Sequence, residues 1–329
     1  MSRLLGKRVL FLAPSFFEYY KSIEDELKKQ GCKVDTILEN FSDSSYLYRF
    51  IYIKNERLRF KYTQKYYVDR LEQLTQGYDY VFVIRGEALT AELLMRLRDK
   101  NPNALFIMYQ WDSIRNNRNC LEIESFFDYI YTFDLEDAKE RNWKYRPLFY
   151  INTGSLRSTK DIDFSMVGTL YYKRAQLLKK IIEFSKHGNL NVFHYLYSPR
   201  IVFLLHRYIL RDKRYMSVDY KDVQFVPLRA DSLADIYNRS KILVDYTADD
   251  QTGLTMRTVE SLGFRCKLIT NNKKIMETDI YQFGNIYIYD LDNFDIPQEF
   301  IETEYNDLPN ELNEYYSLAG WVQSIFSNY

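Results

Sequence analysis

Short apolar runs and longer amphipathic stretches alternate along most of this chain. The runs at 8–14, 33–38, 78–84 and 104–109 have the length and the bounding residues of buried β-strands. Between the first two runs, at 16–30, apolar residues recur at helical spacing. Strands that alternate with helices form parallel sheets, so the pattern predicts an α/β fold that opens β-α-β.

A polar stretch at 150–160, with Gly, Ser and Thr, interrupts this alternation before the pattern resumes. We expect the linker between two domains there, because 329 residues suit two domains better than one. The predicted divisions are a first Rossmann-like domain over 1–153, a second over 154–310, and a C-terminal helix within 311–329. Strands of the second domain are predicted at 163–167, 189–195, 222–228, 242–244, 266–270 and 285–289.

The stretch 240–272, SKILVDYTADDQTGLTMRTVESLGFRCKLITNN, has the pattern strand, loop, helix, strand. Gly253 and Leu254 lie where the loop enters the helix, and the unpaired backbone N–H groups at a helix start attract phosphate. Arg257 and Glu260 follow at a spacing that places both on one helix face. Such a pair suits a nucleotide, with Arg for the diphosphate and Glu for the ribose hydroxyls. The alternative is an ordinary amphipathic helix that carries both residues on its surface.

These residues also resemble a known family. Gly-Leu-Thr-Met-Arg-Thr-Val-Glu at 253–260, followed by Gly263 and the strand KLIT, resembles the donor-site signature of the CgeB-like glycosyltransferases. The spans FVIRGEALTAELL, MYQWDS and FDYIYTFDLEDA resemble the N-terminal domain of that group. The donor-site pattern that is commoner among glycosyltransferases of this kind has two glutamates. It is absent here, because Asp250 stands where the first glutamate would be.

The resemblance implies the GT-B architecture, two Rossmann-like domains with a cleft between them. The acceptor domain would come first in the chain and the nucleotide-sugar donor domain second. A terminal helix that crosses back to the first domain is part of that architecture, and the segment 311–329 fits it.

A second candidate for donor binding follows the strand predicted at 163–167. Gly168 and Thr169 end that strand, and Arg174 lies at the start of the next helix. In related GT-B enzymes the corresponding loop reaches the donor diphosphate, so the resemblance implies that these three residues bind the donor. The alternative is a helix start that faces solvent.

Candidate acceptor residues follow the strands of the first domain. Glu87 and Asp112 come directly after predicted strands, and either carboxylate could act as the base for an acceptor hydroxyl. Trp111 offers an aromatic face for a sugar ring. The alternative for Asp112 is the N-cap of a following helix. By the same resemblance, Ser15 and Glu18 lie in a loop that faces the cleft and are further acceptor candidates.

Basic and aromatic residues alternate at 43–76, and three interpretations stay open. The stretch is a solvated helix with a Tyr-rich core face, a peripheral membrane contact through 45–70, or a grip on an anionic or lipid-diphosphate acceptor. Nucleic acid is not expected as a partner, because the formal net charge is zero and no known binding signature is present.

Composition is that of a globular protein, with 46% hydrophobic and 27% charged residues. Three scattered cysteines give neither a disulfide framework nor metal spacing. Asp-X-Asp triplets at 161–163 and 290–292 are interpreted as chance, so no metal site and no cofactor are expected. No apolar run is long enough to span a membrane, so we expect a cytoplasmic protein, peripheral at most to the inner face of the membrane.

The resemblance therefore predicts a glycosyltransferase. It would move a sugar from a nucleotide sugar to a glycan or lipid-linked acceptor in bacterial cell-surface polysaccharide synthesis, without a metal. One alternative is a nucleotide-sugar epimerase of the same fold, and another is a non-catalytic subunit that binds a nucleotide or glycan.

Overall fold

The computed structural model describes residues 3–14, 19–39, 56–74, 77–151, 156–157, 159–248 and 252–327, with the backbone alone at 56–63. The chain forms two compact units. The first comprises the chain up to Leu148 together with the segment from Leu318 onward, and the second spans Phe149–Ser317. Each unit contains a parallel β-sheet with helices between its strands, which confirms the predicted α/β fold of two Rossmann-like domains.

Within the described residues each sheet has six strands, and all the pairings between them are parallel. The first sheet has the order β2-β1-β3-β4-β5-β6 and the second has the order β12-β11-β10-β7-β8-β9. The strands are β1 (Arg8–Ala13), β2 (Lys33–Leu38), β3 (Tyr80–Ile84), β4 (Leu105–Gln110), β5 (Tyr129–Thr132), β6 (Lys144–Tyr145), β7 (Ile162–Thr169), β8 (Val192–Tyr197), β9 (Val223–Gln224), β10 (Ser240–Val244), β11 (Lys267–Thr270) and β12 (Ile286–Ile288).

The helices connect these strands and cover the sheets. They are α1 (Tyr19–Lys29), α2 (Glu56–Gln73), α3 (Ala91–Lys100), α4 (Asn119–Ile123), α5 (Leu135–Arg141), α6 (Tyr172–Gly188), α7 (Arg200–Leu204), α8 (Lys213–Met216), α9 (Ala230–Arg239), α10 (Met256–Gly263), α11 (Gln298–Glu302), α12 (Asn310–Tyr316) and α13 (Leu318–Phe326). A π-helical turn, Leu205–Ile209, follows α7. In the described ranges, no helix combines the length and apolarity needed to cross a bilayer.

Local chemistry fixes where several of these helices begin and end. Thr90 caps α3 by accepting the Leu93 N–H at 3.4 Å, and Asp134 caps α5 in the same way. Asn142 ends α5 in the left-handed conformation, which asparagine adopts more readily than most residues. In α2, Tyr67 and Leu71 are buried in the core of the first unit, which supports the interpretation of a helix with a Tyr-bearing core face.

Each sheet contains a point at which the strand order reverses. The reversal lies between β1 and β3 in the first sheet and between β7 and β10 in the second. Connections on the two sides of such a point diverge, which leaves a crevice beyond the carboxyl ends of the two strands, where ligands bind in open α/β sheets. The described residues that follow β3, β4, β7 and β10 are therefore the first places to look for function.

The sequence predicted one helix within 311–329, whereas the structure has two helices near the C-terminus. The chain leaves helical geometry at Ser317, whose backbone is extended, and so α12 and α13 are separate helices. They belong to different units, with α13 in the first. Trp321 of α13 is fully buried there, with its ring 4.7 Å from that of Tyr109, and Phe326 lies 5.2 Å from Phe82.

Gly263 at the end of α10 is explained by packing. A Cβ at this position would lie 2.6–2.9 Å from ring and Cβ atoms of Tyr150, closer than real contacts allow. We expect Gly263→Ala to lower the free energy of unfolding by about 1–3 kcal/mol, because the half-buried Tyr150 ring would have to shift although its hydroxyl is hydrogen-bonded to the carbonyl oxygen of Asn313. Urea denaturation measures this loss. Gly188→Ala is the matched control, since its Cβ would meet only the flexible side chain of Leu190. Equal stability of the Gly263→Ala variant and the unaltered protein would contradict the packing role.

Candidate functional site

The candidate nucleotide site lies at the reversal point of the second sheet. Gly168 and Thr169 end β7, Asp245 follows β10, and Thr255 caps the start of α10. The Thr255 hydroxyl accepts the N–H of Thr258 at 3.3 Å, which fixes the direction of the first turn. The strand, loop and helix predicted for this stretch are present, and the hydrogen bond from the Thr255 hydroxyl to Asp245 joins the start of the helix to the end of β10.

Arg174 in α6 lies directly over the end of β7. Its guanidinium donates to the carbonyl oxygens of Thr169 at 3.1 Å and of Tyr246 at 3.3 Å. A Cβ on Gly168 would lie 3.1 Å from Nη1 of Arg174, so the glycine allows this close approach. Burial lowers the pKa of Arg174, the charge of Asp245 raises it, and the charge of Arg257 lowers it again. The structure thus brings Gly168, Thr169 and Arg174 together.

Arg257 and Glu260 lie on α10, and Arg257 contacts β7. The Arg257 guanidinium donates to Glu260 Oε2 at 2.8 Å and to the carbonyl oxygen of Val167 at 2.7 Å. It also stacks over the Tyr237 ring, with its Cζ 4.9 Å from the ring centroid. The side chains of Arg257 and Glu260 are only 16% and 12% exposed. The two side chains are therefore mostly shielded from solvent, and two guanidinium groups lie near the end of β7. Nucleotide binding by Arg257 and Glu260 stays a prediction.

Asp245 was not singled out in the sequence, although it organises this site. Its buried carboxylate accepts the hydroxyls of Thr247, Thr255 and Thr270 at 3.0, 3.1 and 3.3 Å. Burial raises its pKa, while Arg174 and the three hydroxyls lower it. The carboxylate thereby connects the end of β10, the N-cap of α10 and the end of β11. An aspartate directly after an apolar run was the available signal.

Gly253 and Leu254 occupy the entry to α10, as predicted. The Leu254 side chain is buried, so its backbone is the part that can reach a ligand. The Gly253 carbonyl oxygen accepts a hydrogen bond from Asn272 at 3.4 Å. The loop residues 249–251 before them, Asp250 included, lie outside the described residues.

An acidic cluster lies at the carboxyl edge of the first sheet, around Arg85. The guanidinium lies 2.9 Å from a carboxylate oxygen of Glu87 and 2.9 Å from Oδ2 of Asp112. Arg85 itself has a positive φ of 70°, an uncommon conformation for a side chain of this size. Two side-chain amides hold it there, since Gln110 and Asn117 both donate to its carbonyl oxygen.

Asp112 is not a helix N-cap. A turn follows it, and the next helix is α4, whose N-cap is Arg118. Burial raises the pKa of Asp112, the Arg85 charge lowers it, and the Glu87 charge raises it. A carboxylate with a raised pKa is the better proton acceptor, so this environment suits the predicted base. The Glu87 side chain is about half exposed and is paired with Arg85.

Glu39 is a third carboxyl in this cluster that the sequence did not reveal. It follows β2, is 3% exposed, and its Oε1 has no hydrogen-bond partner among the described residues. Burial raises the pKa of Glu39 to about 8, against the opposing charge of Arg85 and with the help of Glu87. Tyr67 is a further neighbour, since burial raises the pKa of its hydroxyl and the Glu39 charge raises it further.

This raised pKa predicts a dependence of stability on pH. The folded state keeps a proton on Glu39 that the unfolded state releases above its ordinary pKa of about 4.3. Stability should therefore fall as pH rises from that value to about 8. Glu39→Gln removes this term, so the variant should gain stability relative to the unaltered protein as pH rises. Urea denaturation across this range measures the difference. Parallel curves for the two proteins would contradict the assignment, and Glu92→Gln on the exposed face of α3 is the control.

Of the three residues predicted to bind the acceptor, the structure describes only Trp111. The Trp111 ring lies 5.6 Å from Tyr19 and 6.1 Å from Tyr109, and the residue is 7% exposed. In the structure Trp111 therefore packs against these two rings, directly before Asp112 of the acidic cluster. Contact of Trp111 with an acceptor stays a prediction. Ser15 and Glu18 lie outside the described residues.

The Asp-X-Asp triplets have structural partners. Asp161 pairs with Arg239, and Asp163 with Lys241 at 2.8 Å. Asp290 accepts the backbone N–H of Asp292 at 2.8 Å, as turn aspartates do. Across the described ranges, no group of three or more His, Cys, Asp or Glu side chains is arranged to hold a metal ion. All three cysteines are buried and unbridged.

No family model and no curated protein matches this chain. Several solved structures are similar over nearly its whole length. The lipopolysaccharide outer core galactosyltransferase WaaB in its apo form is 13% identical, with a TM-score of 0.45 over 98% of this chain and 96% of that chain. MurG from Acinetobacter baumannii is 10% identical, with a TM-score of 0.48 over 97% and 93%. Anabaena Alr3699/HepE in complex with UDP and glucose is 12% identical, with a TM-score of 0.47 over 97% and 94%. At these identities and TM-scores the likeness carries no argument about the function of this chain.

Proposed function

We propose that the protein is a glycosyltransferase that binds a nucleotide sugar at the reversal point of the second sheet. The observation that carries this proposal is the pair of guanidinium groups, Arg174 and Arg257, beside the glycine-ended strand β7 and the start of α10. Two fixed cations and a helix N-terminus suit a diphosphate. Glu260, three residues from Arg257 on the same helix, suits the ribose hydroxyls.

The proposed chemistry uses these groups to stabilise the leaving group. The acceptor hydroxyl oxygen forms a bond to the anomeric carbon while the bond from that carbon to the diphosphate oxygen breaks. Negative charge then grows on the diphosphate, where Arg174, Arg257 and the N–H groups of α10 are already oriented. The proton of the acceptor hydroxyl passes to a carboxylate, for which Asp112 or Glu87 in the first unit is proposed.

The proposal includes no metal and no cofactor, because Arg174, Arg257 and the start of α10 are proposed to supply the positive charge and the hydrogen bonds that the diphosphate needs. Turnover that persists in excess EDTA supports this part, and loss of turnover contradicts it. The acceptor class, a glycan or lipid-linked molecule of bacterial cell-surface polysaccharide synthesis, rests on the CgeB-like resemblance alone.

A nucleotide screen tests the donor site directly. Thermal unfolding is measured with UDP, GDP, ADP, CMP and dTDP and with their common sugars. A ligand at about 100 times its Kd should stabilise the fold by about 2.7 kcal/mol. The same shift should be lost in Arg174→Ala and kept in Arg239→Ala, which changes an exposed arginine of the same unit. Absence of a shift with every nucleotide contradicts the proposal.

Glu260 gives a sharper test of the ribose contact. Glu260→Ala should weaken binding of the cognate nucleotide by about 1–3 kcal/mol, because ribose hydroxyls lose their acceptor. Calorimetry with the ribonucleotide and its dideoxy analogue separates this role from a structural one. The unaltered protein should discriminate between the two ligands, and the variant should not. Discrimination that survives the substitution would remove the ribose assignment.

Product analysis separates the two alternatives. A nucleotide-sugar epimerase would convert its donor with no acceptor present, and the new sugar would appear still attached to the nucleotide. A binding subunit would bind a nucleotide without turnover of any donor or acceptor. Release of free nucleotide that depends on an added acceptor supports transfer.

A further inference from the structure

The second unit exposes an apolar and basic surface formed by residues 200–216. Its exposed apolar side chains are Ile201, Val202, Leu205, Tyr208, Ile209, Leu210 and Met216. Ile201 and Ile209 are each 74% exposed. Large apolar side chains this exposed and this close together mark a contact surface on most proteins.

The inner side of this segment is firmly packed, so the outer side chains are held outward. Phe203 is fully buried among the rings of Tyr215, Tyr220 and Phe225. Arg207 donates to the carbonyl oxygens of Tyr215 at 2.8 Å and of Val218 at 2.6 Å. The segment is thus apolar on two sides. Among the described residues, its own unit covers the side of Phe203 and leaves the side of Ile201 and Ile209 exposed.

The π turn decides which residues face outward. The N–H of Leu210 donates to the carbonyl oxygen of Leu205, five residues earlier, at 2.9 Å. The wider turn leaves the three consecutive residues Tyr208–Leu210 exposed beside Ile201 and Leu205. Regular α-helical geometry ends at Leu204, so residues 200–210 do not form one continuous α-helix.

Cations border the apolar row, which consists of Ile201, Leu205 and Tyr208–Leu210. Residues 198–216 contain five Arg or Lys residues and a single acidic residue, Asp212. Asp212 is paired with Arg214 at 2.7 Å. Arg200, Arg211 and Lys213 are exposed, and none of them has an acidic partner among the residues that the structure describes.

We propose that residues 200–216 bind the surface of a bilayer that contains anionic lipids. The apolar row would enter the boundary between headgroups and acyl chains, and the cations would meet the lipid phosphates. Tyr208 is an aromatic residue suited to that boundary. A second copy of the chain fits less well, because a symmetric contact through this surface would bring Arg200 and Arg211 of one copy near the same cations of the other. The proposal does not depend on the proposed function.

Vesicle flotation of the full chain tests this surface. The vesicles are phosphatidylcholine alone or phosphatidylcholine with roughly one-third phosphatidylglycerol, at low and high salt. The protein should float with the anionic vesicles at low salt and bind the neutral ones much less. The double variants Ile201→Ser/Ile209→Ser and Arg200→Glu/Arg211→Glu should each bind at least about tenfold more weakly. Met276→Ser, another exposed apolar residue of this unit, is the control and should bind as the unaltered protein does.

Three results would overturn the proposal. One is no binding to either vesicle. A second is equal binding by the unaltered protein and the Ile201→Ser/Ile209→Ser variant. The third is a dimer, seen by light scattering, that this variant dissociates while vesicle binding is absent. Thermal unfolding of each variant shows that the fold persists, which is expected because the changed side chains are exposed.

Discussion

Arg257→Ala is expected to lower kcat/KM for the nucleotide sugar by roughly 10²–10³-fold. The guanidinium is fixed before any ligand arrives, by the carboxylate of Glu260, the carbonyl oxygen of Val167 and the Tyr237 ring. A cation held in this way needs no reorganisation as charge develops on the diphosphate. Its removal should therefore reduce stabilisation of the transition state more than ground-state binding, so that kcat falls by the larger factor.

Two further variants make this result interpretable. Arg257→Lys keeps the charge but loses the planar fork that contacts Glu260 and Val167 together, so its activity should lie between those of the alanine variant and the unaltered protein. Arg239→Ala removes an exposed, ion-paired arginine from the same unit and should leave kcat/KM nearly unchanged. If the Arg257→Ala variant has the thermal stability of the unaltered protein and a nearly unaltered kcat, Arg257 has no part in the proposed mechanism.

Asp245→Ala is expected to lower the free energy of unfolding by about 2–4 kcal/mol, because it leaves three threonine hydroxyls without their shared acceptor. The fully buried carboxylate joins Thr247, Thr255 and Thr270, which lie on three different segments. Thr255 is also the N-cap of α10, so its loosening should move the start of the helix that carries Arg257. Nucleotide affinity should therefore fall together with stability.

The conservative variant separates these two effects. Asp245→Asn keeps the size of the side chain and one acceptor oxygen, so it should recover much of the stability and less of the affinity. Asp307→Ala, at an exposed carboxylate paired with Arg265 in the same unit, should change stability by less than about 0.5 kcal/mol. Full nucleotide affinity in Asp245→Ala, measured where the variant is folded, would show that the carboxylate acts only in folding.

Part of the candidate site could be predicted because its signals are local. The spacing of Gly253, Arg257 and Glu260 places them at the start and on one face of a helix, and the structure has them there. Gly168, Thr169 and Arg174 form a strand end followed by a helix start, which is again a local pattern. Such features depend on helix and strand periodicity, which a sequence displays directly.

The missed residues depend on contacts between distant segments. Glu39 and Asp245 are single carboxyls after apolar runs, and nothing nearby in the chain shows that burial will raise their pKa values. Their partners are up to 48 residues away for Glu39, with Glu87, and 71 for Asp245, with Arg174. Asp112 was predicted as a site residue, but its ion pair with Arg85, 27 residues away, could not be read from the sequence.

By itself, the sequence determined the alternation of strands and helices, the presence of two α/β domains and the residues that gather at the start of α10. Hydrophobic periodicity carries that information, because burial of one face or of a whole strand is the main force that selects these elements. Only the tertiary structure decided the strand order, the end of helix α12 before Ser317, the exposure of Tyr208–Leu210 and the partners of the buried carboxyls. Those features depend on which surfaces meet after folding. Contacts between segments far apart in the chain produce no periodic pattern in the sequence, so they could not be predicted from it.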